Sequence, residues 1–175
     1  PLMGCDAELG EPGGKLRQLM QEGRSEHPVV GDWVAVRQTG TVAVIEHVFE
    51  RKTQLRRRSA GSESRAQTIA ANVDVFFIVT AVGRDFNVRR LERYVTAVWD
   101  SGASPVIVLN KTDLACNLDE LTTQIDAVAP AVPVVTVSAR DGTGLEHIEA
   151  HLAPAITGAF IGSSGVGKST LINRV

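Results

Sequence analysis

The sequence predicts an α/β protein in which a small N-terminal β-domain precedes a parallel sheet covered by helices. Two observations support this fold class. Residues 29–49 contain short β-branched runs separated by glycine-bearing turns, a pattern typical of a small barrel or sandwich. After residue 66, apolar runs of strand length alternate with segments of helical period, which indicates repeated βα units in a doubly wound sheet. We therefore predict two domains, residues 1–66 and 67–175.

Composition limits the classes of protein to consider. The 175 residues are 43% hydrophobic and 22% charged, as in an ordinary globular chain. With a net charge of −2, any contact with nucleic acid has to depend on a local basic patch. The two cysteines are far apart, which favours a reducing, cytoplasmic environment. No apolar run is long enough for a bilayer and no secretory signal opens the chain, so we expect no membrane association.

The N-terminal β-domain is predicted from two strand-like runs. Residues 33–36 follow a turn at Gly31-Asp32, and residues 41–49 follow a turn that contains Gly40. We interpret Trp33 as a core residue of this small, OB-like barrel rather than as a platform for stacking bases.

A basic, polar connector follows over residues 51–65. Its cations are Arg51, Lys52, Arg56, Arg57, Arg58 and Arg65. Two interpretations remain open: these side chains contact RNA phosphates, or they belong to a solvated linker that keeps the chain soluble.

The second domain begins with Val75–Val79, a continuous apolar run typical of a strand buried on both faces of a parallel sheet. Asn87 is predicted to cap a helix whose apolar residues keep the 3.6 period, and Gly102 to end it. The further elements are a strand at 106–109, a helix at 118–128, a strand at 132–137, a helix at 145–152, a strand at 159–161 and a helix from Ser169. The carboxyl ends of such strands are where ligands bind.

Residues 162–169 fit the phosphate-binding pattern G-x-x-x-x-G-K-[ST] at every fixed position. Glycines let backbone N–H groups converge on phosphate oxygens. Lys168 is predicted to reach the β- and γ-phosphates and the Ser169 hydroxyl to bind Mg²⁺, which makes them the catalytic pair. A chance glycine-rich turn is disfavoured by the strand before it and the helix after it. The candidate phosphate-binding residues are Gly162, Ser163, Ser164, Gly165, Val166, Gly167, Lys168, Ser169 and Thr170.

Asn110-Lys111-Thr112-Asp113 fits the N-K-x-D base-reading box of GTP-binding domains. The Asp113 carboxylate offers acceptors to the N1–H and the 2-amino group of guanine, a pairing that adenine cannot match. Asn110 is predicted to bridge either to the phosphate loop or to the base edge. The stem of Lys111 is predicted to cover the face of the ring.

Ser138-Ala139, at the end of the next strand, fits a third element, a backbone N–H that donates to guanine O6; taken alone it is an ordinary strand exit. Three such elements on successive strand ends predict GTP or GDP, with Mg²⁺, as the ligands. The base-reading box precedes the phosphate loop, which reverses the order of ordinary GTPases. The sequence therefore predicts a circularly permuted P-loop GTPase domain.

His147 and His151 lie four residues apart on a predicted helix. This spacing suits a metal ion, but no third ligand is near in the sequence, so a solvated helix face is the favoured interpretation.

These motifs together resemble a known family. Gly31-Asp32-Trp33-Val34, residues 70–74, residues 108–114 and residues 162–171 occur in this order, and from about Val29 onward the chain resembles the ribosome small-subunit-dependent GTPases, the RsgA or YjeQ family. The resemblance implies an OB-fold domain, a permuted GTPase domain and a C-terminal zinc-binding domain. It also implies GTP hydrolysis in late maturation of the small ribosomal subunit, with that subunit and its rRNA as partners.

The resemblance further implies switch segments, a D-x-x-G motif and zinc ligands that would follow Val175. We therefore expect residues 1–175 to be part of a larger, monomeric protein and to bind nucleotide poorly without turning it over. Two other functions remain open. One is an RNA-binding assembly module whose nucleotide site is a docking switch, and the other is a P-loop ATPase with an accidental N-K-x-D box.

Overall fold

In a computed structural model of the chain, residues 9–23, 25–58 and 66–175 are described. They belong to two compact units. The first comprises Pro1–Lys52 and Arg57–Asn72, and the second comprises Thr53–Arg56 and Val73–Val175. The sequence-derived boundary between residues 66 and 67 stays a prediction.

The first unit contains a three-stranded sheet with the order β1-β3-β2. Strand β1 runs parallel to β3, and β2 runs antiparallel to it. The buried apolar residues of this part of the chain include Leu16 on the helix and Ala43 and Ile45 on β3. Its elements are β1 (Leu9–Pro12), α1 (Gly14–Gln21), β2 (Val34–Thr39) and β3 (Val42–Val48). A two-stranded sheet of β4 (Gln54–Arg58) and β5 (Ala66–Ala71) follows, and residues 54–56 of β4 belong to the second unit.

Strands β2 and β3 are present at the predicted places, but the sequence pattern missed four elements of this half of the chain, namely β1, α1, β4 and β5. Helix α1 was not predicted, because its eight residues are few for reading a period and its N-cap, Gly13, makes no side-chain capping bond. Strands β4 and β5 occupy residues assigned to the connector and its flank. The OB-like barrel stays a prediction.

The prediction that Trp33 is a core residue is wrong. Its side chain is 73% exposed. Trp33 lies one residue before β2, and its backbone carbonyl accepts the Phe49 N–H at 2.9 Å. The backbone is therefore paired while the ring lies at the surface.

Arg51 has a structural role that neither interpretation of the basic connector foresaw. Its Nε and Nη2 donate to the two carboxylate oxygens of Asp32 at 2.7 and 2.9 Å. The Arg51 and Asp32 side chains are only 9% and 1% exposed, and Arg51 also contacts Glu26 and the His27 carbonyl. The hydrogen bonds that Arg51 donates to Asp32 raise the pKa of Arg51 above its already high ordinary value. Arg51 therefore fastens the turn at Gly31-Asp32.

The other cations of the connector fall into two groups. Lys52, Arg56 and Arg57 are exposed, which is compatible with both interpretations. The side chain of Arg58 and all of Arg65 lie outside the described residues.

The second unit is built on a four-stranded parallel sheet with the order β8-β7-β6-β9, which confirms the predicted parallel sheet. The strands are β6 (Val75–Ala81), β7 (Ser104–Asn110), β8 (Val134–Thr136) and β9 (Gly158–Gly162). The helices are α2 (Val88–Asp100), α3 (Leu118–Val128), α4 (Leu145–Glu149) and α5 (Lys168–Ile172), with a 3₁₀ turn at Thr112–Leu114.

Local signals explain most of these elements. Residues Phe76 to Ala81 of β6 are buried, as expected for the central position of this strand. Asn87 caps α2 by accepting the Arg90 N–H at 2.9 Å, and Gly102 follows the helix with a φ of 85°. Strand β8 is shorter than the predicted 132–137. No helix of the described residues combines the length and the apolar character needed to cross a membrane.

Candidate functional site

The strand order places a topological switch point between β6 and β9. The chain moves outward from β6 to β7 and β8, and then returns to pair β9 with the other edge of β6. In parallel sheets, the crevice beyond the carboxyl ends of the strands at such a point is where ligands bind. Two loops border this crevice, residues 82–87 after β6 and residues 163–167 after β9.

The glycines of the phosphate-binding pattern occupy positions where a side chain does not fit. Gly162 has a φ of 148°, and a Cβ there would lie 2.3 Å from the Val79 carbonyl oxygen. Gly167 has a φ of 98°, and a Cβ would lie 2.3 Å from Nδ2 of Asn110. These glycines therefore let the loop pack against β6 and against the end of β7.

Lys168 is the first residue of α5 and folds back over the loop. Its Nζ donates to the carbonyl oxygens of Gly162 at 3.0 Å and Ser163 at 2.6 Å. These bonds hold the ammonium group beside the loop. Ser169 and Thr170, which follow it, are exposed, so their hydroxyls are accessible from solvent.

Asn110 joins the base-reading box to the phosphate loop. It is the last residue of β7 and is 2% exposed. Its Nδ2 donates to the Val166 carbonyl at 2.8 Å, and its Oδ1 accepts the Ala139 N–H at 3.0 Å. Of the two partners considered for Asn110, the structure shows the phosphate loop.

The rest of the base-reading box turns sharply after β7. Lys111 has a left-handed backbone with a φ of 62°, and the Thr112 N–H donates to the Val137 carbonyl at 3.1 Å. The Asp113 side chain is 17% exposed. Its Oδ1 accepts the Ser138 hydroxyl at 2.9 Å, and its Oδ2 lies 3.9 Å from Nη1 of Arg140. The carboxylate is thus held in place and remains partly accessible.

The backbone amides of Ser138 and Ala139, one of which is predicted to donate to guanine O6, both have partners in this structure. The Ser138 N–H donates to the Thr143 carbonyl at 3.0 Å, and the Ala139 N–H donates to Asn110. A bond from Ala139 to O6 therefore has to be shared with Asn110 or to replace that bond.

Two site residues were missed in the sequence, and both follow β6. Asp85 Oδ2 lies 3.9 Å from Nζ of Lys111 and the same distance from the position of a Cβ on Gly165. Arg90, in the first turn of α2, donates from Nη1 to the hydroxyl of Ser163. The available signal was the polar stretch Gly83–Asn87 after a buried strand; its proximity to the phosphate loop depends on the pairing of β6 with β9.

The described residues contain no cluster of three or more His, Cys, Asp or Glu side chains that could hold a metal ion. His147 is exposed, and the ring of His151 makes an edge contact with Phe77 at 6.3 Å between centroids. A metal site at this histidine pair is therefore not supported by the described residues.

The parallel sheet has a phosphate loop at its switch point, and Asn110 joins this loop to a base-reading box that comes earlier in the chain. These features define a circularly permuted P-loop domain of the GTPase class. A family model for the RsgA GTPase matches residues 48–175. The chain belongs to the RsgA GTPase family.

Relatives and solved structures agree with this family. The chain is 50% identical over 151 residues to the small ribosomal subunit biogenesis GTPase RsgA of Methanosarcina acetivorans, covering 85% of this chain and 41% of the relative. It is 39% identical over 185 residues to the protein of the same name from Syntrophotalea carbinolica, covering 99% of this chain and 50% of the relative. The chain thus spans about half the length of the curated relatives it matches.

Two crystal structures resemble this fold. YjeQ from Thermotoga maritima matches with a TM-score of 0.69 and 27% identity, over 94% of this chain and 55% of that one. YloQ, described as a circularly permuted GTPase, matches with a TM-score of 0.58 and 28% identity, over 84% of this chain and 50% of that one.

Proposed function

We propose that this chain binds guanine nucleotides at the switch point of its parallel sheet, as part of a GTPase that hydrolyses GTP to GDP and phosphate. The observation that carries the proposal is the pair of bonds made by Asn110, to the Val166 carbonyl and to the Ala139 N–H. One buried side chain thereby fixes the phosphate loop relative to the base-reading loops, so the distance between a phosphate subsite and a base subsite is set before a ligand arrives.

The proposed roles follow from the chemistry of each group. Asp113 accepts hydrogen bonds from the N1–H and 2-amino group of guanine, because a carboxylate offers two acceptor oxygens. Lys111, beside Asp85, covers the ring with its apolar stem. The backbone N–H groups of residues 163–168 and the ammonium group of Lys168 bind the phosphates.

Mg²⁺ is proposed to bind at Ser169, whose exposed hydroxyl is a hard oxygen donor next to Lys168. This donor suits Mg²⁺, which prefers oxygen ligands and completes its coordination with phosphate oxygens and water. When bound, the ion would neutralise charge that develops on the phosphate oxygens during transfer. We also propose that residues 1–175 alone do not turn GTP over, since transfer needs an aligned water in addition to the groups proposed for Lys168 and Ser169.

We propose a role in late maturation of the small ribosomal subunit, with that subunit and its rRNA as partners. The names of the relatives, which refer to biogenesis of the small ribosomal subunit, support the coarser part of this role. Several finer features remain part of this proposal: an OB-fold in residues 1–66, a permuted GTPase domain in residues 67–175, a monomer, a cytoplasmic location and zinc in a further C-terminal domain. The exposed Arg56 and Arg57 are the candidate phosphate contacts of the rRNA interface.

A second candidate function is an RNA-binding assembly module whose nucleotide site acts as a docking switch without significant turnover. It is favoured by the exposed cations of the basic connector, Lys52, Arg56 and Arg57, which suit contact with RNA phosphates. Hydrolysis stimulated by small ribosomal subunits in the longer protein separates the two functions, because only the GTPase proposal requires it.

Calorimetry with GDP and ADP tests the nucleotide proposal. We expect measurable GDP binding and at least tenfold weaker ADP binding, since adenine offers the Asp113 carboxylate no counterpart of the N1–H and 2-amino donors of guanine, a loss of about 1.4 kcal/mol or more. Equal affinity for the two nucleotides would instead support a P-loop ATPase with an accidental base-reading box. Absence of any binding would contradict both.

A further inference from the structure

We propose that Arg90 is a positioning residue for the phosphate loop, and that it acts by holding Ser163. Arg90 lies outside all the motifs described above, 73 residues before its partner. The inference rests on the proposed function, because the loop that Arg90 holds is the proposed phosphate subsite.

The contact is made possible by the strand order. Strand β6 lies next to β9, so the first turn of α2, which follows β6, lies beside the loop that follows β9. Asn87 fixes this turn by capping it. The Arg90 guanidinium, which is partly buried, then donates from Nη1 to the Ser163 hydroxyl.

Arg90 carries its positive charge in the first turn of a helix, where the helix dipole disfavours a cation. The first turn of α2 contains no acidic residue, whereas Arg89 and Arg90 both lie in it. The amino end of a helix carries partial positive charge and favours anionic side chains. An arginine in this place is therefore poorly explained by helix stability and better explained by its contact with the loop.

Ser163 connects Arg90 to Lys168. Its hydroxyl accepts from Arg90, and its carbonyl accepts the Lys168 ammonium group at 2.6 Å. Holding the side chain of Ser163 restricts its backbone, and the Ser163 carbonyl is one of the two carbonyls, with that of Gly162, that orient Lys168. Arg90 thus orients the loop cation without contacting the nucleotide itself.

Fluorescence titration of the 175-residue chain with labelled GDP and GMP tests this role. We expect Arg90→Leu and Ser163→Ala each to weaken GDP binding about tenfold, the scale of one lost hydrogen bond to a charged group. GMP binding should weaken less than GDP binding, because GMP lacks the β-phosphate assigned to Lys168. Arg90→Lys should recover part of the loss, and Arg89→Leu, which removes an exposed charge from the same turn, should bind GDP like wild type.

The double variant decides whether Arg90 acts through Ser163. If it does, combining Arg90→Leu with Ser163→Ala weakens GDP binding no more than either change alone. Losses that multiply would overturn the proposal, as would normal GDP binding by Ser163→Ala, since Arg90 would then act directly as a cation.

Hydrogen exchange of the ligand-free chain tests the same contact without nucleotide. Arg90→Leu should speed amide exchange in residues 163–168 and leave residues 106–110 of β7 unchanged. If wild type binds no GDP but Arg90→Leu still speeds amide exchange in residues 163–168, the nucleotide proposal fails and the positioning role stands. If exchange in the loop is unchanged, the positioning role fails whatever the nucleotide result.

Discussion

The side chain of Asn110 donates to the Val166 carbonyl at 2.8 Å, although the two residues are 56 positions apart in the sequence. The bond connects the end of β7 directly to the phosphate loop. The same side chain accepts the N–H of Ala139. One buried amide therefore connects the ends of three strands, β7, β8 and β9, whose loops carry the base-reading box and the phosphate loop.

Removing the Asn110 amide should destabilise the second unit. Asn110→Ala leaves the Ala139 N–H and the Val166 carbonyl without their partner, and we expect the free energy of unfolding to fall by about 2 kcal/mol. Urea unfolding measures this change. Asn173→Ala, at an exposed position of the same unit, is the control and should have little effect. An Asn110→Ala chain as stable as wild type would show that these bonds contribute nothing.

Base selectivity should depend on Asp113. Asp113→Asn replaces an acceptor oxygen by a donor, so the N1–H and 2-amino group of guanine lose a partner and GDP binding should weaken at least tenfold. Xanthosine diphosphate, which has a carbonyl at position 2, should bind more tightly to Asp113→Asn than to wild type. Calorimetry compares the two nucleotides, with Asp119→Asn on the exposed start of α3 as the control. Unchanged GDP binding by Asp113→Asn would refute the assignment of this carboxylate.

Phosphate binding should depend on Lys168. Its ammonium group contacts loop carbonyls rather than the apolar core, so Lys168→Ala should melt close to the wild-type temperature without ligand. GDP raises the melting temperature only of a chain that binds it, so this variant should lose the shift, whereas Lys15→Ala, exposed on α1, should keep it. A full GDP-induced shift in Lys168→Ala would place the phosphate site elsewhere.

The Arg51–Asp32 pair should stabilise the first unit. Arg51→Ala leaves the carboxylate of Asp32, which is 1% exposed, without its cation, and breaking a buried pair in this way costs about 3 kcal/mol. The pKa of Arg51 is raised in the folded state, so its contribution is complete below the unfolded pKa and is lost only as pH rises through the folded one. The cost should therefore be constant between about pH 6 and 9.

Urea unfolding at several pH values measures that cost. Arg37→Ala is the matched control, because the Arg37–Glu46 pair is exposed and such pairs contribute about 0.5 kcal/mol. Equal effects of the two substitutions would mean that the Arg51 pair is no stronger than a surface pair.

RNA binding should depend on the basic connector if it forms the rRNA interface. Replacing Arg56, Arg57 and Arg58 by Ala should reduce the slope of log affinity against log salt by about 2 for small-subunit RNA, since each lost phosphate contact removes roughly 0.7. Filter binding over a salt series measures the slope. Ala substitutions at Lys15, Arg17 and Arg37 remove the same charge from the first unit and serve as the control. An unchanged slope after the first triple substitution would favour the solvated linker.

Elements whose signals are local were predictable. The apolar run of β6, the capping side chain of Asn87 and the glycine spacing of the phosphate loop each act within a few residues, so the sequence shows them directly. Helix α1 was missed because it is short and lacks a capping side chain. The buried role of Arg51 was missed because a charged residue in a polar stretch is ordinarily exposed.

The sequence by itself determined the parallel sheet, the phosphate loop and the base-reading box, because period, capping and glycine spacing are properties of neighbouring residues. Only the tertiary structure decided which of these segments meet. The pairing of β6 with both β7 and β9 brings Asn110 to Val166 and Arg90 to Ser163, and it places Asp85 beside Lys111. Strand order is a choice among long-range pairings whose contacts form between residues dozens of positions apart, so no local pattern in the chain records it.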